Sequence, residues 1–167
     1  KNPQIVATRN HDNDLLFVTG KRDATDLAPM NTDYLLLFKK PGDNPEPVQP
    51  YQRGEMSEDN WIEWARAVWY GIRETNVLNV DVARSNEDER HLCPLQLDLI
   101  ERCVKMWSNP GDLVFSPFGG IASEGHEALK WRRKYLGIEL KPEYFKVACR
   151  NLRDAETKFG RTLFDLI

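Results

Sequence analysis

No apolar run in these 167 residues approaches the roughly 18 needed to cross a bilayer as a helix, and no basic-then-apolar leader opens the chain. A transmembrane helix and a secretory signal are therefore not expected. Cysteine is scarce. Cys93, Cys103 and Cys149 are odd in number and lack CxxC spacing. That pattern excludes a disulfide frame or a zinc site and reads as reduced thiols in a cytosolic protein. Excess positive charge is also lacking. The net charge of −3 argues against a generic nucleic-acid binder. There is no internal repeat, no low-complexity tract and no G-x-G-x-x-G.

What is present fits one folded domain with a real core: 41% hydrophobic and 29% charged residues over a length typical of a single domain. The chain opens on Lys1 without a methionine and runs directly into strand-like sequence, so a fragment of a longer protein is expected. Charge is distributed unevenly. Residues 41–125 carry seven basic and fifteen acidic groups, whereas residues 126–161 carry ten and five. Lys130, Arg132, Arg133 and Lys134 lie in that basic stretch. They read as a solvated helix face, with phosphate contact as the alternative.

Short strands are expected at 3–8 and 14–19, and the apolar run Tyr34–Phe38 (33–38, DYLLLF) reads as a buried strand. Four prolines between Pro41 and Pro50 then rule out helix or central strand and mark a linker or irregular insertion. A helix is expected over 57–70, with Ser57 and Asn60 in its cap region and Trp61, Trp64, Ala65 and Val68 on one apolar face, continuing to Ile72. Residues 76–90 are polar and read as loop. Pro94 suits the first position of a helix carrying Leu95, Leu99, Ile100, Cys103, Val104 and Trp107 on its buried stripe, stopped by Asn109, Pro110 and Gly111. A strand at 112–118, a helix at 123–133, a strand at 134–140 and a helix from Pro142 follow. The last helix is expected to bury Phe145, Ala148, Leu152, Ala155 and Phe159.

Residues 112–140 are the most informative part. An apolar strand runs into Pro117, Phe118, Gly119 and Gly120, a helix follows, and a second strand ends at the single carboxylate Glu139. Glycines allow a sharp turn and close approach of a ligand. The next helix presents its unpaired N–H groups to the same crevice. Ligands of open α/β sheets sit beyond the carboxyl ends of the strands. A carboxylate there accepts both hydroxyls of a ribose. On these grounds alone nucleoside binding stands beside a bland reading in which Glu139 pairs with Arg132 or Lys141.

The run Ser116-Pro117-Phe118-Gly119-Gly120-Ile121-Ala122-Ser123, followed by Gly137-Ile138-Glu139 and Lys141-Pro142-Glu143-Tyr144, resembles the cofactor-binding motif of DNA amino-methyltransferases. Upstream, His91, Leu99, Ile100, Glu101 and Arg102 fall where that family has its H-P-T-Q-K-P-x-x-L-L-E-R helix, and only His91 of the first six is identical. The resemblance covers most of 33–40 and 91–156. It implies a Rossmann-like S-adenosylmethionine-dependent methyltransferase fold of the α/β class, in three α/β/α layers and partial here. It also implies S-adenosylmethionine as cofactor, held by His91, Leu92, Cys93, Ser116, Pro117, Phe118, Gly119, Gly120, Glu139 and Leu140, with no metal. The parent would transfer methyl to N6 of adenine or N4 of cytosine in double-stranded DNA, in a bacterial cytoplasm, as in restriction-modification. A similar SPF turn is found in a phage and bacterial subgroup of the family. His11 and His126 read as ordinary surface or capping residues.

Two departures stand out. Ser116 replaces the family's Asp, removing a carboxylate near the methionine amine, and Ala122 replaces the second motif glycine. The family's catalytic tetrapeptide, [D/N/S]-P-P-aromatic, needs a prolyl-prolyl pair, and the sequence has none. The motif order resembles the permuted arrangement in which that tetrapeptide comes first. This gives an expected division into strands of the catalytic half (1–40), a proline-rich insertion and tryptophan-rich helix of a target-recognition region (41–90), and a cofactor-binding βαβ half (91–167). The catalytic half is then expected to be incomplete and the tetrapeptide to precede Lys1. An exposed sheet edge and self-association of the chain follow. A non-catalytic DNA-binding or assembly remnant and a dinucleotide-binding oxidoreductase domain are the other readings.

Overall fold

A computed structural model describes residues 33–73, 75–78 and 94–160. The expected strands at 3–8 and 14–19 lie outside these residues, as do His11, His91, Leu92 and Cys93. The chain divides into two compact units, 1–46 with 70–74, and 47–69 with 75–167.

In the first unit, residues 33–40 form no regular element and are all exposed; Tyr34 is 85% and Phe38 84% accessible. The expected buried strand is not there. Apolar composition gives a segment reason to be buried, but a strand exists only where another strand satisfies its backbone, and here none of the described residues does so. The proline-rich stretch is bends and turns, as its composition requires.

The second unit holds six elements. α1 (Glu58–Trp64) starts with a reciprocal capping box: the Ser57 hydroxyl accepts from Asn60 N (3.1 Å), and the Asn60 side chain accepts from Ser57 N (3.3 Å). It ends at Trp64, short of residue 70, and only Trp64 of its predicted apolar face is buried. α2 (Leu97–Trp107) begins three residues beyond Pro94, where the Asn76 carbonyl accepts Leu97 N–H (2.8 Å) and the Asn76 amide reaches Asp98 (2.7 Å). Its buried positions are Ile100, Arg102, Val104, Lys105 and Met106, while Leu95 ahead of it is exposed. Asn109 and Asp112 close the turn after it through Asn109 N to Asp112 (2.6 Å) and Asp112 N to the Asn109 carbonyl (3.0 Å).

β1 (Leu113–Ser116), α3 (Ser123–Lys130), β2 (Lys134–Gly137) and α4 (Pro142–Phe159) then form the expected βαβα series. β1 and β2 are parallel, with Ser116 opposite Gly137. α3 covers one sheet face. A Cβ at Gly125 would strike the Tyr135 ring (2.7 Å) and Leu152 of α4 (2.6 Å), so only glycine lets α3 sit this close. α2 and α4 both pack on α3. On the opposite face Leu113, Phe115 and Leu136 are exposed. In α4 the inward positions are Tyr144, Val147, Ala148, Asn151 and Ala155, and Phe145 points outward, contrary to the sequence reading. The phase is one residue off because Tyr144 joins Ile121 and Val147 in a core cluster.

Polar ties hold these layers. Arg133, 2% exposed, forms a bidentate pair with Glu55 (2.6 and 2.9 Å) and also donates to Ser108 Oγ (2.9 Å) and the Ser108 carbonyl (2.6 Å). Glu127, fully buried, meets Lys130 (2.9 Å) and His126 Nδ1 (3.1 Å), and Lys130 continues to Glu101 (3.2 Å). The basic residues beside the crevice are thus not one solvated face. Lys130 and Arg133 are engaged internally, while Arg132 and Lys134 are exposed. Arg102 lies over Trp64 and Trp69, and Lys105 over Trp64 and Trp131. Two of the three clustered tryptophans therefore serve the packing of α2.

Candidate functional site

The glycine turn and the acidic strand tip face each other. Beyond β1 and β2 the ladder continues through Ile138 N to the Ser116 carbonyl (2.9 Å) and Gly119 N to the Ile138 carbonyl (2.7 Å). One step further, Gly120 N donates to Glu139 Oε2 (2.8 Å), and the other oxygen of Glu139 accepts Lys141 N (2.8 Å). Each carboxylate oxygen offers two lone-pair sites, so each keeps one for a ligand hydroxyl. Glu139 pairs with the Lys141 backbone, not its ammonium, and not with Arg132.

The turn is shaped by its residue types. Gly120 has φ 52°, and a Cβ there would meet nothing within 4 Å, so open space borders it. A Cβ at Gly119 would press on the Ile138 carbonyl at 3.2 Å. Ala122 takes φ 66° as the N-cap of α3 and makes no side-chain cap. The first-turn N–H groups of α3 therefore have no side-chain acceptor from that residue. Pro117 is exposed, and Phe118 and Leu140 are 86% and 91% accessible, one on each rim. Ser116 is buried at the base. Of the ten residues named from sequence, seven are gathered here: Ser116, Pro117, Phe118, Gly119, Gly120, Glu139 and Leu140.

Three further residues escaped the sequence reading. The Tyr135 hydroxyl is buried beneath the turn; a Cβ at Gly119 would lie 3.3 Å from it and one at Gly137 2.5 Å. It makes no hydrogen bond of ordinary geometry, although Ser116 is near enough to act on it electrostatically. Burial and the nearby Glu124 carboxylate push its phenol above the ordinary value. Glu124, in the first turn of α3, is itself raised by burial. Asn151 donates to the Ile121 carbonyl (2.8 Å) and ties α4 to the turn. The signal for Tyr135 was its i, i+2 spacing to Gly137, which places a large ring beside a missing side chain on one sheet face.

Among the described residues no group of three His, Cys, Asp or Glu is placed to hold a metal ion, and no helix is long and apolar enough to cross a membrane. His126 is half-buried, with its ring edge-on to Phe159 at 5.3 Å. Of the cysteines, burial pushes the Cys103 thiol up to about 11, which leaves it a poor nucleophile.

Comparison with known proteins gives a consistent picture. The profile of a DNA methylase family (N6/N4 type) matches residues 9–150. The type II methyltransferase M.BglI of Bacillus subtilis is 29% identical over 121 residues, 72% of this chain and 30% of that protein. The DNA adenine methyltransferase YhdJ of Escherichia coli (strain K12) is 39% identical over 67 residues, 40% of this chain and 23% of that protein. A DNA modification methylase, so assigned, from Thermus thermophilus, solved in complex with S-adenosyl-L-methionine, superposes with a TM-score of 0.53 at 28% identity, covering 70% of this chain and 42% of that one. The chain thus spans less than half the length of each. The described strands and helices form a partial Rossmann-like methyltransferase fold.

Proposed function

This chain belongs to the N6/N4 DNA methylase family, and from that premise we propose that it forms the cofactor-holding part of an enzyme that methylates an exocyclic amine of adenine or cytosine in double-stranded DNA. The observation that supports this reading most is the 2.8 Å bond from Gly120 N to Glu139, which brings turn and carboxylate to one crevice. Its features fit S-adenosylmethionine. Glu139 keeps acceptor sites for the ribose hydroxyls. The open side of Gly120 admits the ligand to the backbone. Phe118 and Leu140 offer apolar surface for the two faces of an adenine. When bound, S-adenosylmethionine supplies an electrophilic methyl group. The chain's part is to orient that group and keep water from the crevice, since positioning supplies much of the rate in such a transfer. His91, Leu92 and Cys93 belong to the same proposed site. The bacterial cytoplasm is the proposed setting, and self-association through the bare sheet face is proposed for the isolated chain.

Calorimetric titration with S-adenosylmethionine, S-adenosylhomocysteine and NAD tests the reading. Binding of the first two and not the third is the expected result. Binding of NAD alone overturns it in favour of an oxidoreductase domain, and binding of none overturns it in favour of a non-catalytic remnant, a reading that Ser116 and the lack of a prolyl-prolyl pair would then support. DNA methylation by this chain alone, followed with radiolabelled methyl, is expected to be undetectable because no P-P-aromatic element is present to hold a base.

A further inference from the structure

We propose that the Glu124 carboxylate receives the ammonium group at the amino-acid end of the cofactor, in place of the carboxylate that Ser116 does not supply. The assignment rests on the cofactor reading above and adds a polarity to it, with the ribose at Glu139 and the positively charged end at Glu124.

Glu124 stands in the first turn of α3, directly after the glycine turn, and is half-buried. It makes no salt bridge among the described residues; the donor that touches its carboxylate is its own backbone N–H. Every other well-buried carboxylate among the described residues of this unit is compensated: Glu55 by Arg133, and Glu127 by Lys130 and His126. A carboxylate withdrawn from water without a cation is costly, and the cost is removed when a cation arrives. Glu124 is the one left in that condition, and it borders the crevice. Its field acts on Tyr135, whose hydroxyl lies under Gly119 and beside Gly137 at the strand tips. Ser116, the tip of β1, is opposite Gly137 and is buried and uncharged. The floor of the crevice therefore holds one negative charge, carried by α3 and not by the strand. The N–H groups of that helix turn remain available for the carboxylate of the same amino-acid end.

Two probes separate the ends of the cofactor. S-adenosylhomocysteine carries the amino-acid end; 5′-methylthioadenosine has the same nucleoside without it. Affinities of both for the wild-type chain, Glu124→Gln and Glu139→Ala are compared by calorimetry. Glu124→Gln is expected to weaken S-adenosylhomocysteine by at least about tenfold, the worth of a hydrogen bond to a charged group, and to leave 5′-methylthioadenosine unchanged. Glu139→Ala is expected to weaken both alike. An equal effect of Glu124→Gln on the two probes, or no effect on either, overturns the assignment while leaving the cofactor reading intact. Failure of the wild-type chain to bind either probe overturns both. Because the substitution removes an uncompensated charge, the thermal midpoint of Glu124→Gln is expected to equal or exceed that of the wild type, which verifies that the variant is folded.

Discussion

Arg132 sits at φ 64° between α3 and β2, a left-handed conformation that L residues adopt at a cost of about 1–2 kcal/mol. Its side chain is exposed. Glycine removes the strain and forfeits about 0.4–1 kcal/mol through the looser unfolded chain. Arg132→Gly is therefore expected to stabilise the chain by roughly 0.5–1 kcal/mol, read as a higher urea midpoint at unchanged slope. Ala122 has the same backbone strain but differs in burial. Its methyl is worth about 0.8 kcal/mol inside, so glycine there gains almost nothing. The sequence showed Ala122 as a departure from a glycine motif. Whether that departure mattered depended on what surrounded the methyl, which local pattern does not carry. Glu139 was legible because its place at a strand end follows from the βαβ pattern itself. Glu124 was not, because a glutamate in the first turn of a helix is ordinary, and only the absence of a nearby cation makes it otherwise.

At the scale of elements, sequence and structure agree where local chemistry decides and part where distant groups do. Pro142 starts α4 and Asn109-Pro110-Gly111 stops α2, as their backbone preferences require. Phe145 faces outward because the neighbouring Tyr144 fits the space by Ile121, a choice made by tertiary packing. The Glu55–Arg133 pair joins residues 78 apart, and no periodicity signals it. Removing one partner leaves a buried charge uncompensated. Arg133→Ala is expected to cost about 3–5 kcal/mol in denaturant unfolding, whereas Glu55→Leu with Arg133→Met recovers most of it. Acid has two opposed effects. For Glu55 and Glu127 burial raises the carboxyl, but the bonds from Arg133, and from His126 and Lys130, outweigh it and hold both below the ordinary 4.5. Their contribution is present above that value and is lost as pH falls through the lowered ones. Glu124 is raised, so its protonation relieves the fold as pH falls toward 4.5. The melting midpoint is therefore expected to rise slightly on acidification and then drop below about pH 4.5. Glu124→Gln abolishes the rise and keeps the drop, as followed by circular dichroism.

For the molecule as a whole, the decisive feature is a parallel pair of strands covered on one face. Parallel sheets are ordinarily covered on both, because each strand is apolar throughout. Here Leu113, Phe115 and Leu136 lie bare, and Tyr34–Phe38 in the other unit forms no strand. The apolar run was legible as sequence that wants burial; its partner was not, since strand pairing is a property of the assembled sheet. The bare face is expected to bring two copies together. Sedimentation velocity at rising concentration then shows a shift toward dimer, and Phe115→Lys with Leu136→Lys restores monomer. A species that stays monomeric at all concentrations contradicts the pairing. The bond between Gly120 and Glu139 has a kinetic corollary. A loop already fastened to the neighbouring strand has little freedom left to surrender when a guest arrives. Capture then carries a small entropic penalty, and its rate is governed by diffusion to the mouth and not by a slow ordering of the walls.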